Sequence, residues 1–369
     1  MKKGAFPDFI IEQMVNIGYI KTDIRNIKPS SIDLTLGEDR FLLPATISIP
    51  YGKSVWSYVK ENNFPRFNPK DIVSVGQVVL AKLEESLSLR SDMYAYANPK
   101  STTGRMDLHA RLIADGSVLY DTVRPKGYKG ELWVMMQPNS FPVLLPPGSH
   151  VNQLRFFNED TRIRDLELED FILKECPIYY PDEGRYMENR DMTVKRGDHS
   201  ILLSLDLRPE HGFVGWVAKE GAKDPVNFLS ENKKYKKEDY FEPVHSKDGY
   251  TLLEKGRFYI LTSYEHLMIP NHCASEIAPL DERFGEFRSH YAGFIDPGWG
   301  IDNRKDGRSI GRKLTMEVRA FENIRVYHRQ PIARLKIERM IADAKVSYDT
   351  PDFSNYQDQD GPKLAKYFF

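Results

Sequence analysis

The sequence predicts a mainly β protein built from two similar domains, with a few short helices. Three observations support this prediction. The chain has 369 residues, about twice the length of a typical domain. Its apolar residues come in short alternating runs bounded by Gly, Pro, Asn or Asp, and its 24 Gly and 23 Pro suit many tight turns. Similar strings also recur in the two halves of the chain, in the same order.

The chain begins with a predicted helix and continues as strands. Ile10, Met14 and Ile17 fall at i, i+4 and i+7, which is the spacing of one helix face. The apolar alternations that follow lie at 32–36, 132–134, 143–145 and 201–207. Strands of this length, separated by turns, are typical of a barrel or a sandwich.

Three pairs of strings indicate a tandem duplication. SSIDLTLG resembles LLSLDLRP, GYKGELWVMMQ resembles GRKLTMEVRAF, and VNQLRFF resembles IARLKIE. The pairs match Asp33 with Asp206, Met135 with Glu317 and Leu154 with Leu335, at separations of 173, 182 and 181 residues. Near-constant separations are expected when one β domain has been copied.

The duplication suggests domain boundaries. We expect a first domain over residues 1–170, a linker over 171–195, a second domain over 196–350 and a C-terminal lid or tail over 351–369. The charged segment 158–177 carries the predicted boundary, and alternation of its leucines with charges leaves strand pairing open.

A lysine-rich insertion interrupts the second repeat at residues 219–241. It contains four lysines, Lys233, Lys234, Lys236 and Lys237, and acidic residues in the same stretch. A solvated loop and a binding patch are the two interpretations.

Composition excludes several classes of protein. Lys plus Arg is 52 and Asp plus Glu is 53, so the broad basic excess of a nucleic-acid or acidic-membrane binder is missing. Cys176 and Cys273 are the only cysteines, which excludes a disulfide framework and a thiolate zinc site within one chain. No secretory signal or membrane-spanning stretch is predicted, so we expect a cytoplasmic protein without nucleic-acid or membrane partners.

The segment ANPKSTTGR, residues 97–105, combines positive charge with hydroxyl groups. Lys100, Ser101, Thr102 and Arg105 can hold a phosphate chain, and the glycine between them permits close approach of the backbone. The alternative is a polar turn from a strand to a helix, capped by Ser or Thr.

The segment HYAGFIDPGWG, residues 290–300, joins small residues to a carboxylate. Tyr291, Ala292 and Gly293 precede Asp296, which stands before a Pro-Gly turn. The carboxylate could accept from a sugar hydroxyl or orient water, although DPG is also an ordinary turn signal.

Glu317 lies in a predicted strand, LTMEVRAF, where it shares a face with Thr315 and Arg319. It could be a base in a pocket or an exposed carboxylate paired with Arg319. The tail at residues 354–368 is rich in Asp, Gln, Gly and Pro but ends in aromatic residues. It could order as a lid over a ligand or dock on a neighbour.

These segments together resemble the dCTP deaminase family, in the superfamily shared with trimeric dUTPases, and its long bacterial form with two fused repeats. The resemblance is carried by PSSIDLTLG, ANPKSTTGR, HYAGFIDPG, MEVR and YQDQDG. It implies two tandem dUTPase-like distorted β-barrel or jelly-roll domains. It also implies hydrolysis of the cytosine amino group of dCTP, giving dUTP and ammonia for thymidylate synthesis without a catalytic metal. The H-x-E and P-C-x-x-C pair of zinc-dependent deaminases is missing from the sequence.

The resemblance assigns roles to individual residues. It makes Glu317 the general base for water and places Asp296 near the deoxyribose, with Tyr291, Ala292 and Gly293 beside the substrate. Phosphate binding and water positioning fall to four residues, Lys100, Ser101, Thr102 and Arg105. The C-terminal clamp is Tyr356, Gln357 and Gln359. It further implies Mg²⁺ bound through the substrate triphosphate, a homo-oligomer with a trimer as the candidate assembly, and dTTP as a candidate inhibitor.

Each repeat departs from the family pattern in a different place. The first repeat has Met135 where the second has Glu317, and the second has Asp281 and Glu282 where the first has its cationic segment. We therefore expect a composite site, with phosphate-binding residues from one repeat and carboxylates from another. Two other functions stay open: a dUTP pyrophosphatase, alone or combined with deamination, and a non-catalytic nucleotide-binding regulatory protein.

Overall fold

The computed structural model describes residues 2–191, 200–208, 213–289, 291–350, 356 and 361–369. The chain forms two compact units. Unit 1 comprises Met1–Asp160, Glu220–Asp239 and Ala365–Phe369, and unit 2 comprises Thr161–Lys219 and Tyr240–Leu364. Both are mainly β, which confirms the predicted fold class. In the described part of the chain, no helix is both long and apolar enough to cross a membrane.

Residues 2–160, which the structure describes without a gap, contain three α-helices, one 3₁₀ turn and nine strands. The helices are α1 (Asp8–Asn16), α2 (Val55–Glu61) and α3 (Ser101–Gly104), and the 3₁₀ turn is Ile24–Asn26. The strands are β1 (Ile20–Lys21), β2 (Ile32–Leu43), β3 (Val78–Ser88), β4 (Tyr94–Pro99), β5 (Leu108–Ala114), β6 (Thr122–Val123), β7 (Lys129–Pro138), β8 (Val143–Leu144) and β9 (His150–Phe157).

The elements that follow begin with α4 (Asp165–Glu175) and a 3₁₀ turn at Asn189–Asp191. The next strands are β10 (Ile178–Tyr180), β11 (Arg185–Tyr186), β12 (Ile201–Ser204), β13 (Phe213–Ala218) and β14 (Val226–Asn227). Further 3₁₀ turns lie at Lys237–Asp239 and Glu282–Phe284. The remaining strands are β15 (Phe241–His245), β16 (Tyr250–Leu253), β17 (Phe258–Leu267), β18 (Cys273–Pro279), β19 (Phe287–Ser289), β20 (Phe294–Ile295), β21 (Arg304–Lys305), β22 (Arg308–Ser309), β23 (Arg312–Ala320), β24 (Ile324–Tyr327) and β25 (Pro331–Arg339).

The predicted N-terminal helix is present as α1. Ile11 and Met14 face the protein and are buried, whereas Ile17 lies just past the helix end and is exposed. The helix therefore packs one apolar face against unit 1, as an amphipathic surface helix does.

Each unit is organised around antiparallel strands. In unit 1 the strand order is β5-β7-β3-β2-β9-β4-β6, with β1 added beside β3. In unit 2 one sheet has the order β11-β10-β17-β13-β15, with β23 joining β17 to β19, and a second sheet has the order β12-β25-β18-β20. The core of unit 2 draws side chains from both of its sheets, including Leu203, Leu261, Val318 and Leu335.

Strand register confirms most of the internal repeat. Met135 lies opposite Leu80 in the β7–β3 pair, and Glu317 lies opposite Ile260 in the β23–β17 pair. The two facing pairs occupy the same place in the two repeats. Met135 is therefore the structural counterpart of Glu317, as the sequence comparison predicted.

One predicted match is wrong. Asp33 lies opposite Gln153, whereas the residue opposite Arg334, in the corresponding position of unit 2, is Leu202. Asp206 lies four residues further along the chain. Strand side chains alternate with a period of two, so a shift by four residues preserves the apolar pattern and the sequence alone could not fix the register.

The structure also divides the chain differently from the predicted boundaries. Unit 2 begins at Thr161, and α4 occupies the segment in which strand pairing had been left open. Leu168, Phe171 and Ile172 are its buried residues, at the i, i+3 and i+4 spacing of a helix face. The alternating leucines Leu166 and Leu168 both lie in this helix, where Leu166 is exposed and Leu168 is buried.

The insertion and the chain end belong to unit 1. Strand β14 pairs in parallel with β8 through Val226 and Val143. Further along, Lys234 and Tyr235 donate their backbone N–H groups to the carbonyl of Tyr367. The insertion is thus neither a free loop nor only a charged surface, since it anchors the last five residues of the chain.

Candidate active site

Glu317 is buried in the second repeat. Its neighbours Met316 and Val318 point into the core of unit 2, so Glu317 faces the opposite side of the sheet. Its exposure is only 2%. The alternative of an exposed strand carboxylate is therefore wrong.

The carboxylate of Glu317 is held by two backbone groups. Its Oε2 accepts hydrogen bonds from the N–H groups of Tyr291 and Ala292, each at 3.0 Å. These groups lie between β19 and β20, where the chain leaves strand pairing and its donors need other acceptors. Two hydrogen bonds to one carboxylate oxygen fix the orientation of the side chain.

Tyr291, Ala292 and Gly293 form the link that holds this carboxylate. The Tyr291 ring is buried, lies edge-on to Phe258 at 5.8 Å and carries the guanidinium of Arg288 over its face at 4.9 Å. The carbonyl of Gly293 accepts the N–H of Ile277 at 2.7 Å. The link is therefore fixed at both ends.

Asp296 follows directly after β20 and is half-buried. The Pro-Gly turn beyond it requires glycine, because Gly298 has a φ of +86° and an added Cβ would lie 1.8 Å from Ser347 Oγ. The carbonyl of Pro297 also accepts the N–H of Tyr348 at 2.9 Å. The structure therefore confirms that Asp296 lies at a strand end before a constrained turn.

The tail contacts the strand face that carries Glu317. Lys363 donates its N–H to Thr315 Oγ1 at 3.3 Å, and Trp216 Nε1 donates to the carbonyl of Pro362 at 3.1 Å. Thr315 lies two residues before Glu317 and so shares its face.

Trp216 was not found by sequence reasoning. It lies opposite Ile260, which in turn lies opposite Glu317, so the three residues form one row across β13, β17 and β23. No local signal distinguishes it from any other aromatic strand residue. Tyr356, upstream in the tail, is 4% exposed, whereas Gln357 and Gln359 lie outside the described residues.

The predicted phosphate-binding segment forms a turn from β4 into α3 in unit 1. Lys100 is the N-cap residue, and no side chain caps the helix, contrary to the Ser or Thr cap of the alternative. Thr103 Oγ1 instead donates to the carbonyl of Val151 at 2.8 Å. Thr102 and Arg105 are buried and Ser101 is half-buried. The four predicted residues thus lie in α3 or at its two caps.

Lys100 is paired with a buried acid. Its Nζ forms an ion pair with Asp33 Oδ2, and Lys28 Nζ lies 3.6 Å from the same oxygen. Burial acts to raise the pKa of Asp33, but the ammonium groups of Lys100 and Lys28 bring that pKa below its ordinary value. Asp33 therefore stays ionised and positions both lysines.

The face of unit 1 that corresponds to the Glu317 face is closed by apolar side chains. Met135 is 2% exposed, and Ile47 donates its N–H to the Met135 sulfur at 3.4 Å. The buried cluster around Met135 includes Phe41, Leu80 and Trp133 from the sheet and Val55 and Val59 from α2. Helix α2 covers the place where a substrate would need space.

The turn after β6 in unit 1 also differs from its counterpart in unit 2, the turn after β20. Strand β6 ends at Val123 and β20 ends at Ile295, and both pair with equivalent strands. The next residue is Arg124 in unit 1 and Asp296 in unit 2, each before a proline. The guanidinium of Arg124 lies over the Tyr94 ring at 4.3 Å. Unit 1 thus has a cation where unit 2 has the candidate sugar-binding acid.

Unit 2 in turn lacks the cationic segment. Pro279 ends β18 as Pro99 ends β4, and Asp281 follows where unit 1 has Ser101. The Asp281 carboxylate accepts from Arg283 at 3.0 Å. The structure therefore gathers the candidate residues into two sets, one cationic in unit 1 and one acidic in unit 2. Among the residues that it describes, no three His, Cys, Asp or Glu side chains lie together as metal ligands would.

Two copies of one antiparallel β fold define this chain as a tandem dUTPase-like protein. Residues 2–160 match the N-terminal domain, and residues 182–368 the C-terminal domain, of 2'-deoxycytidine 5'-triphosphate deaminase. The chain belongs to this family, and its length fits the long two-domain form.

Similar proteins agree with this assignment. The crystal structure of 2'-deoxycytidine 5'-triphosphate deaminase from Agrobacterium tumefaciens superposes with a TM-score of 0.82 at 29% identity, covering 95% of this chain and 99% of that one. A "dCTP deaminase, dUMP-forming" from Methanothermobacter thermautotrophicus is 27% identical over 195 residues, 50% of this chain and 90% of that protein. A dCTP deaminase from Halorubrum lacusprofundi is 28% identical over 155 residues, 40% of this chain and 69% of that protein.

Proposed function

We propose that this protein deaminates dCTP to dUTP and ammonia, with Glu317 as the general base. The observation that carries the proposal is the buried carboxylate of Glu317, fixed by two backbone N–H groups in a chain of the dCTP deaminase family. Its counterpart in the other repeat, Met135, has no group that could exchange a proton.

The reaction needs one water and one base. Water attacks C4 of cytosine while Glu317 takes a proton from it, so a C–O bond forms at a tetrahedral carbon. Glu317 passes this proton to N3 of the ring. It then takes the proton of the new C4 hydroxyl and gives it to the amino nitrogen, so the C4–N bond breaks and ammonia leaves, with a carbonyl at C4 and a hydrogen on N3. A carboxylate locked in one orientation can serve both proton transfers without reorganising.

The remaining candidates bind the rest of the nucleotide. Asp296 accepts a hydrogen bond from the sugar, and Ala292 and Gly293 leave room for a deoxyribose but little for a 2'-hydroxyl. Lys100, Ser101, Thr102 and Arg105 hold the triphosphate, which brings its own Mg²⁺ because that ion binds through phosphate oxygens and water. Tyr356, Gln357 and Gln359 close over the substrate.

Incubation with dCTP tests the proposal. We expect stoichiometric dUTP and ammonia from the natural protein and at least a hundredfold loss of kcat in Glu317→Gln, with dCTP binding retained. Glu286→Gln is the matched control, since Glu286 is an exposed carboxylate of the same unit. Absence of ammonia release by the natural protein would contradict the proposal, and so would full activity of Glu317→Gln.

A second candidate is a combined deaminase and dUTP pyrophosphatase. It is favoured by relatives named "dCTP deaminase, dUMP-forming". In that reaction Asp296 would orient water toward phosphorus, and the products would be dUMP, pyrophosphate and ammonia. Phosphate analysis of the product nucleotide distinguishes the two candidate activities. A product of dUTP without dUMP indicates deamination alone, whereas dUMP with pyrophosphate indicates the combined activity.

A non-catalytic regulatory role is the third candidate. It would be supported if dCTP bound without turnover.

Homo-oligomer formation and inhibition by dTTP are part of the main proposal. They are measured by analytical ultracentrifugation and by adding dTTP to the ammonia assay.

A further inference from the structure

Tyr291 is attached to the candidate site through its backbone and through its ring. Its N–H and that of Ala292 donate to Glu317 Oε2, each at 3.0 Å. Its ring is 3% exposed and has two aromatic or cationic neighbours, the Arg288 guanidinium at 4.9 Å over its face and Phe258 edge-on at 5.8 Å. A displacement of this ring would move one of the two donors, since ring and N–H belong to the same residue.

Both neighbours of the ring come from one row of side chains across the sheet. Arg288 lies opposite Arg319 in the β19–β23 pair, and Arg319 lies opposite Phe258 in the β23–β17 pair. Arg319 is two residues beyond Glu317 in β23, so the row and Glu317 share one face of the sheet. The Tyr291 ring therefore contacts both ends of this row while its backbone N–H reaches Glu317 in the next row.

The two arginines of the row have different partners. Arg319 Nη1 donates to the carbonyl of Gly256, whereas the Arg288 guanidinium lies over the Tyr291 ring. Like charges directly opposite each other repel, so separate partners are the favourable arrangement. The face of an aromatic ring attracts a cation, and the attraction grows when the cation is partly removed from water, as half-buried Arg288 is. The Arg288–Tyr291 contact therefore stabilises the position of the ring.

The first repeat differs at both of the corresponding positions. In β7, Gln137 lies two residues beyond Met135 and pairs with His109. In β23 the same spacing leads from Glu317 to the residue that pairs with Arg288. The repeat with methionine in place of the glutamate thus also has histidine in place of the arginine, as expected if the arginine serves the glutamate.

We propose that Arg288 is a positioning residue for Glu317 and acts through the Tyr291 ring. The inference rests on the proposed function, in which Glu317 is the general base. Arg288 and Phe258 fix the ring, and the backbone beside the ring fixes the carboxylate. A general base must stay within hydrogen-bond reach of the attacking water, and a displacement of about 1 Å can cost about a hundredfold in rate.

The test compares Arg288→Met with Arg325→Met. Arg325 is the matched control, because its guanidinium lies over the Tyr250 ring at 4.6 Å in the separate β16–β24 pair of the same unit. Steady-state kinetics with dCTP are measured for both variants and for Arg288→Lys. We expect Arg288→Met to lower kcat about tenfold, with KM within about threefold. Arg288→Lys, which keeps the cation, should recover most of kcat, and Arg325→Met should match the natural protein.

Hydrogen exchange measures the backbone donors independently of activity. Exchange in the peptide that contains Tyr291 and Ala292 is followed by mass spectrometry in the natural protein and in the two methionine variants. Without the Arg288 contact the two N–H groups should leave Glu317 more often, so we expect several-fold faster exchange in Arg288→Met and none of this change in Arg325→Met.

A double-mutant cycle tests whether Arg288 acts through the ring. Tyr291→Leu removes the ring, so adding Arg288→Met to it should change kcat by less than about twofold. A further tenfold loss in the double variant would mean that Arg288 acts by another route. If Tyr291→Leu does not fold, the exchange comparison and the Arg288→Lys variant decide the question.

Other results would also overturn the proposal. They are a normal kcat in Arg288→Met, equal exchange in the two methionine variants, or a raised KM with unchanged kcat, which would make Arg288 a substrate-binding residue. Failure of the proposed function is distinct, because it appears as no ammonia release by the natural protein and leaves the exchange comparison intact.

Discussion

Met135 and Glu317 occupy the same strand position in the two repeats, and only Glu317 can take up a proton. Met135 faces Leu80 as Glu317 faces Ile260. Around Met135 the sheet face is filled by an apolar cluster under α2, whereas around Glu317 it meets the tail through Thr315. Duplication thus left one fold with two different surfaces.

A carboxylate in the apolar cluster around Met135 should destabilise the protein. In Met135→Glu the new carboxyl group would be buried among Trp133 and Phe41, and we expect about 3 kcal/mol or more of lost stability. Met135→Leu, a volume-conserving control, should cost less than about 1.5 kcal/mol. Urea unfolding measures both. Equal stability of the two variants would show that this face is open to water.

The turn after Asp296 should depend on glycine for space as well as for conformation. Gly298→Ala places a Cβ 1.8 Å from Ser347 Oγ, and we expect a lower melting temperature and a raised KM for dCTP. Gly307 has a similar φ of +80° with nothing within 4 Å of the added Cβ, so Gly307→Ala isolates the backbone effect of about 1–2 kcal/mol. Identical losses in the two alanine variants would mean that close packing at Gly298 is unimportant.

Glu265 should make stability depend on pH. Burial raises its pKa to about 7, against the hydrogen bonds that Ser204 donates from N–H and Oγ at 2.9 and 2.6 Å. The folded state therefore holds a proton that the unfolded chain releases near 4.5, so the contribution is fully present below that pH and is lost as pH rises through 7.

The corresponding variant is Glu265→Gln, which cannot titrate. The free energy of unfolding of both proteins is measured by urea titration from pH 4.5 to 8. The value for Glu265→Gln minus that for the natural protein should increase by up to roughly 3 kcal/mol as pH rises. A constant difference between the two proteins across this range would show that Glu265 ionises normally.

The tail should be anchored by Trp216. Trp216→Phe keeps an aromatic ring, although a smaller one, and removes the hydrogen bond to the Pro362 carbonyl. We expect KM for dCTP to rise about fivefold, as for a net loss of about 1 kcal/mol. Tyr327→Phe, at an exposed strand tyrosine, provides the control. If Trp216→Phe left KM unchanged, docking of residues 361–363 would not contribute to substrate binding.

The cationic and acidic sets should both be needed for turnover. Arg105→Ala and Glu317→Gln are each expected to abolish ammonia release. The first removes a phosphate-binding cation that unit 2 lacks, and the second removes the general base that unit 1 lacks. Return of activity after the two inactive proteins are dissociated, mixed and reassembled would support sites shared between chains. Continued inactivity of the reassembled mixture, with both variants folded by circular dichroism, would contradict sharing of sites between chains.

Local patterns in the sequence determined much of this protein. Alternating runs and turn residues predicted the β class, the repeated strings predicted the duplication, and strand alternation with the DPG turn singled out Glu317 and Asp296. These features depend on side-chain direction and turn conformation, which neighbouring residues control.

The tertiary structure decided what depends on long-range pairing. It matched Asp33 with Leu202 rather than Asp206, because the period of two in a strand permits several registers until a partner strand selects one. It also placed the insertion and Lys366 in unit 1, and buried Met135 under α2. Contacts between residues far apart in the chain leave no local pattern. The sequence alone therefore predicted Glu317 as a candidate base, whereas the residues that surround it became known only from the folded chain.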